Sequence, residues 1–151
     1  VIGQTEAAVQ KKDDARKAYT PATFFNALAA HPNVDAETAA HVRRIYDYAK
    51  AHAAVEVVWP SGSDGFYVES QGARLFKIAD DSRCWTKTAY ARKIVDESDW
   101  ARLVEHAPAG LDYETMTHPQ QVIAETDDRD AWTEDLLHFI DWCAEQAAGS
   151  Q

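Results

Sequence analysis

Cysteine is scarce in this chain of 151 residues: Cys84 and Cys143 are the only two, far apart and without CxxC spacing. That excludes the dense disulfide framework of small secreted domains and points to reduced thiols. No apolar run approaches the ~20 residues needed to span a bilayer, and the opening VIGQTEAAVQKKDD lacks the apolar centre of a signal peptide. A cytoplasmic chain without a membrane role is expected. The first residue is Val1 rather than Met, which fits a piece of a longer polypeptide. Basic side chains are also few, 15 against 25 acidic, giving a net charge of −10. That balance opposes the counterion release that drives binding to duplex phosphate, so generic nucleic-acid binding is disfavoured. An acidic surface can meet a basic partner or mimic DNA, although in most acidic proteins it serves solubility. GxSxG, HExxH, a phosphate-cradling glycine loop and a dinucleotide fingerprint are all absent, so no cofactor is expected.

What is present suits a folded domain: 46% apolar, 26% charged and 11% aromatic residues, in a length that closes one core. Residues 1–19 read as a weakly apolar helical lead-in, and 20–151 as a single domain. Thr20-Pro21 predicts an N-cap with proline at the first helical position, anchored by Phe24, Phe25 and Leu28 and ending near His31-Pro32. Asp35 predicts the cap of a second helix carrying Val42, Ile45, Tyr46 and Ala49 at helical spacing.

From Ala54 the period changes. Val55, Val57, Val58 and Trp59 predict a strand, Phe66–Ser70 and Ala73–Ala79 a hairpin turning at Gln71-Gly72, and Arg83–Tyr90 a further strand. Ser98 predicts the cap of a helix with Trp100, Leu103 and Val104, and residues 121–125 a short extra strand. A last helix from about Asp128 carries Trp132, Leu136, Phe139, Ile140 and Cys143 on one side, with Gly149 as its stop. The order predicts an α+β fold: an antiparallel meander of about four strands packed with N- and C-terminal helices.

Three clusters invite chemistry. Asp64, Glu69 and Lys77 combine two carboxylates and a lysine, the kind of set that holds Mg²⁺ in metal-dependent nucleases. With a two-residue hairpin loop, however, Glu69 pairs with Arg74 and Phe66 with Lys77, placing Glu69 and Lys77 on opposite faces. The plainer reading is a Glu69–Arg74 ion pair. Glu134, His138, Asp141 and Glu145 share one side of the last helix and are weak candidates for a metal, since that side is expected to be the solvated face. His41, Tyr48 and His52 cluster on the second helix without a sequence-local partner, which suits packing or surface roles. Cys84 lies between Arg83 and Lys87, where positive charge lowers a thiol pKa, but a buried strand cysteine is the simpler expectation. Among five tryptophans and the other aromatics, Phe66, Tyr67, Trp59 and Trp85 are the expected binding residues, with Phe66 and Tyr67 as the exposed pair.

Phe24-Phe25-x-x-Leu28, the strand ending in Trp59, Gly62 to Gly65-Phe66, Leu75-Phe76-x-Ile78 and Asp141-Trp142 together resemble a small α+β accessory domain. Such domains are appended to nuclease-like and other defence-associated bacterial proteins. The likeness spans roughly residues 22–146 and departs at Arg83–Tyr90, where this chain has its own Cys84-Trp85 stretch. It implies an accessory role and supplies no catalytic residue. The leading expectation is a non-catalytic module binding a protein or nucleoprotein partner. The alternatives are a metal-dependent hydrolase using Asp64 and Glu69, or an acidic inhibitor of a basic toxin or enzyme.

Overall fold

The structure is a computed structural model and describes residues 18–149; the expected lead-in helix therefore lies almost wholly outside the described residues. Helix α1, Pro21–Ala30, starts where predicted. Thr20 Oγ1 accepts from Thr23 N at 3.2 Å and Thr23 Oγ1 accepts from Thr20 N at 2.9 Å, a reciprocal cap ahead of proline at the first position. Helix α2, Ala36–Ala51, is capped by Asp35 Oδ1, which accepts from Thr38 N at 2.8 Å. The hydrogen bonds from Thr38 and the nearby Arg129 hold the Asp35 carboxyl below its ordinary pKa.

Five antiparallel strands follow in one sheet of order β1-β2-β3-β4-β5. They are β1 Glu56–Val58, β2 Gly65–Ser70, β3 Ala73–Ala79, β4 Arg83–Trp85 and β5 Gln120–Val122. The first four form the expected meander, and β5 joins it as the extra strand. Gln71 and Gly72 both take positive φ, 53° and 79°, as the tight β2–β3 turn requires.

Arg83–Tyr90 is not one strand. It stops at Trp85 and turns into a four-residue helix α3, Thr88–Ala91, because Thr86 N and Thr88 N donate to Pro119 and Thr117 carbonyls on the returning chain. Helix α4, Trp100–His106, is preceded by a 3-10 turn capped by Asp96 rather than Ser98. The Asp96 carboxylate accepts from Asp99 N, and Ser98 spends its hydroxyl on that same carboxylate. Helix α5, Arg129–Gly149, is the longest, with Asp128 accepting from Ala131 N at its start.

Helices α1, α2 and α5 cover the inner face of the sheet. Phe66, Val68, Phe76, Ile78 and Cys84 meet Phe24, Leu28, Ile45, Leu136, Phe139 and Ile140 in one continuous core. Phe66 sits at its aromatic centre, with ring centroids 5.4 Å from Phe24, 5.6 Å from Tyr46 and 5.2 Å from Trp59. The strand period leaves the other face of β2, β3 and β4 to Tyr67, Glu69, Arg74, Lys77, Arg83 and Trp85.

Candidate interaction face on the outer side of the sheet

The outer face owes its composition to one irregularity. Val68 lies opposite Phe76 and Glu69 opposite Arg74, so Leu75 is an extra residue on β3, a β-bulge. Beyond the bulge the register slips by one. Phe66 pairs with Ile78 and Tyr67 with Lys77, in place of the expected Phe66–Lys77 pair. A one-residue slip reverses which face a side chain takes, so Lys77 lands on the same face as Glu69 and Arg74. The expected Glu69–Arg74 pairing is present, with Arg74 Nε 3.3 Å from Glu69 Oε2.

On this face cations and aromatic rings interleave. The Arg74 guanidinium stands 4.0 Å from the Tyr67 ring centroid and donates to the Tyr90 hydroxyl at 3.2 Å. Lys77 lies between two rings, its Nζ 5.7 Å from the Tyr67 centroid and 5.5 Å from that of Trp85. Lys87 stands 5.6 Å from the Tyr90 ring. At these distances the quadrupole of each ring attracts the cation, and the stacking holds the long side chains in place. Asp64 pairs with Lys77 and lies 3.6 Å from Arg83 Nη2, so two of the cations share one carboxylate. Lys87 has no carboxylate partner among the described residues.

Ionisation follows the same geometry. Burial pushes the Tyr67 hydroxyl above its ordinary pKa. Burial also acts to raise Tyr90, but the Arg74 hydrogen bond and the charges of Lys87 and Arg74 outweigh it, leaving Tyr90 below the ordinary tyrosine value. Arg74 is held further toward its charged form, first by Tyr90.

Sequence reasoning named some members of this face and misplaced others. Phe66, expected as an exposed aromatic, is fully buried because the inward phase of β2 aims it into the core. Tyr67 is on the outer face but only 8% exposed, beneath Arg74 and Lys77. Trp59 turns inward onto Phe24, Tyr46 and Phe66. Trp85 is partly exposed on the outer face, edge-on to Tyr67 at 6.3 Å. Tyr90, Lys87 and Arg83 were missed as a group. The available signal was local charge: residues 71–93 hold six of the 15 basic side chains and two of the 25 acidic ones, whereas 94–151 hold 14 acidic and two basic.

The same face decides the Asp64, Glu69, Lys77 set. Glu69 and Lys77 do share a face, contrary to the expectation from an unbroken register. Asp64 and Glu69 nevertheless stand five positions apart along extended chain, roughly 16 Å, too far for one metal ion to join their carboxylates. Each is engaged by its own cations. Among the described residues no group of three or more His, Cys, Asp or Glu is arranged to hold a metal.

The α5 stripe and the α2 histidines meet across one helix pair. Tyr48 Oη donates to Asp141 Oδ1 at 2.6 Å, and His52 Nε2 lies 3.0 Å from that same oxygen. Asp141 is thus the partner that α2 lacked in sequence. Ala54 N donates to His52 Nδ1 at 3.1 Å, which leaves the ring hydrogen on Nε2, facing Asp141, in the neutral form. The Tyr48 hydroxyl, first through its bond to Asp141 and then through burial, is pushed up to about 12. Glu134 pairs with Arg44. Glu134, His138 and Asp141, the weak metal candidates on a side expected to be solvated, therefore line an open groove between α2 and α5 and are partly spent on joining the two helices. His41 is buried, with Glu37 at 3.7 Å and Asp130 at 3.6 Å. Cys84 and Cys143 are buried and free, and burial pushes both thiols up, so neither is an activated nucleophile.

No protein family, no curated protein and no solved structure matches the chain. Among the described residues, no helix is long and apolar enough to cross a membrane.

Proposed function

We propose that the chain is a non-catalytic interaction module that engages its partner through the outer sheet face. The observation that carries this is the interleaving of Arg74, Lys77 and Lys87 with the rings of Tyr67, Trp85 and Tyr90 on a face that, among the described residues, no long helix covers. Charge and ring faces held in advance reduce the ordering cost of binding and suit a negatively charged partner. The catalytic alternative has no comparable support, because Asp64 and Glu69 are separated and paired.

The test is affinity capture from the source cell with the unaltered chain and with Arg83→Glu/Lys87→Glu. A component retained by the first and lost from the second, with the fold intact by circular dichroism, supports the face. Equal retention by both rejects it.

A second reading draws on the acidic stretch Glu125–Asp135, where six carboxylates accompany one arginine. As an inhibitor of a basic protein, the chain would hold its partner through this stretch, and capture would be insensitive to Arg83 and Lys87.

A further inference from the structure

We propose that the outer sheet face binds single-stranded nucleic acid, with Trp85 and Tyr90 stacking on unpaired bases and Arg74, Arg83 and Lys87 meeting phosphates. This rests on the reading of that face as the interaction surface and names its partner class.

The net charge of −10 argues against nucleic acid only if charge is spread evenly, and it is not. Six of the 15 basic side chains lie in residues 71–93 with two acidic ones, while the acidic excess belongs to residues 94–151. Five of those 14 carboxylates lie on helix α5, which packs on the inner side of the sheet with the core, so the sheet separates these five from the cationic face. Four cations reach the outer face: Arg74, Lys77, Arg83 and Lys87. Three carboxylates oppose them there: Asp64 is held between Lys77 and Arg83, Glu69 against Arg74, and the exposed Glu56 stands opposite Glu69 on the edge strand β1. Lys77 is 8% exposed and serves as a brace under the rings; the other three are partly exposed.

The rings separate a nucleic-acid strand from an acidic peptide. A peptide of aspartate and glutamate would use the cations and leave the aromatic surface unused. A single strand supplies both a phosphate for each cation and a π-face for each ring, and every base can stack. Trp85 and Tyr90 are both partly exposed. The backbone at Met116, the exposed large hydrophobic residue among the described residues, runs beside this surface, its carbonyl accepting from Thr88 Oγ1 next to Lys87. A duplex fits poorly: its bases are already stacked, and its denser phosphates would meet the acidic remainder of the domain.

Three phosphate contacts on a single strand give a slope of about −2 in log affinity against log salt, or roughly 20-fold weaker binding between 50 and 200 mM salt. Replacing Lys87 removes about 0.7 from that slope. Loss of one stacking ring weakens binding by about fivefold or more.

The experiment is fluorescence anisotropy with labelled 12-nucleotide oligo-dT, oligo-rU and a 12-base-pair duplex, with polyglutamate of matched charge as competitor. The proteins are the unaltered chain, Lys87→Glu, Trp85→Leu and, should Trp85→Leu fail to fold, Tyr90→Leu. The expected result is binding of at least one single strand with the stated salt slope. That binding is weakened in the charge and ring variants and poorly displaced by polyglutamate; the dT and rU arms tell DNA from RNA. Four results overturn the proposal: no oligonucleotide binding, equal binding by Lys87→Glu, duplex bound as tightly as single strand, or full competition by polyglutamate with no effect of the ring variants. The last of these leaves the outer face standing as a surface for an acidic protein, so the narrower claim fails without the broader one.

Discussion

Phe66→Ala separates a core role from a surface role with a large, directional effect. The side chain is fully buried and meets Phe24, Tyr46 and Trp59, each with ring centroids within 5.6 Å. Truncation removes a buried aromatic and leaves a cavity whose rim is itself aromatic and cannot collapse easily. Phe→Ala changes of this kind cost about 3–5 kcal/mol. Small domains unfold with about 5–15 kcal/mol in hand, so the variant remains folded at 25 °C or sits near its margin. With a urea slope of about 2 kcal/mol per molar, the midpoint falls by roughly 1.5–2.5 M. The assay is equilibrium urea unfolding followed by tryptophan fluorescence, with far-UV circular dichroism as a second probe. A loss below about 1 kcal/mol, together with weaker partner binding by a folded variant, would refute the inward placement of Phe66 and the sheet phase on which the outer face depends.

Further outcomes follow from the same geometry. A Cβ at Gly65 would run into the Ile78 carbonyl oxygen, whereas Gly72, with φ +79°, has open space around it. Gly65→Ala should therefore cost about 2–3 kcal/mol by overpacking and Gly72→Ala about 1 kcal/mol by backbone strain, an order that urea midpoints check. Tyr48→Phe should lower stability by about 1 kcal/mol by stripping one hydrogen bond from Asp141 while leaving His52 in place. Alkaline unfolding provides a fourth check. Tyr19 and Tyr48 are each raised from about 10 to about 12, Tyr19 chiefly by its hydrogen bond to Asp80. The folded state thus holds these protons more tightly than the unfolded chain, so their stabilisation is complete below pH 10 and lost as pH rises through 12. Thermal melts between pH 9 and 12 should fall less steeply in Tyr19→Phe/Tyr48→Phe; an unchanged slope contradicts the assignment.

Local chemistry made much of the fold legible. Thr20 and Asp35 cap as their side chains require, Gln71-Gly72 turns, and the helical spacing of Val42, Ile45 and Ala49 points inward. The α+β order of helices around a meander follows from those signals. The outer face was less legible because it depends on Leu75, whose extra place in β3 has no marker in side-chain type. Without that bulge Lys77 belongs to the core face and the cationic ladder does not exist. Tyr90 was hidden for a different reason: hydrogen bonds to the distant Thr117 and Pro119 carbonyls end β4 early and start α3. Asp141 joins Tyr48 and His52 across about 90 residues of sequence, a contact that helix periodicity shows for each helix alone and for neither as a partner.

The most direct measurement of the central claim is site-specific photo-crosslinking in the source cell, with the photoreactive residue placed at the exposed Ala89, between Lys87 and Tyr90, or, separately, at Ala131 in the acidic stretch at the start of α5. Adducts at position 89 and none at 131 are expected if the cationic–aromatic sheet face is the surface the domain uses. Adducts at 131 with none at 89 would contradict that account.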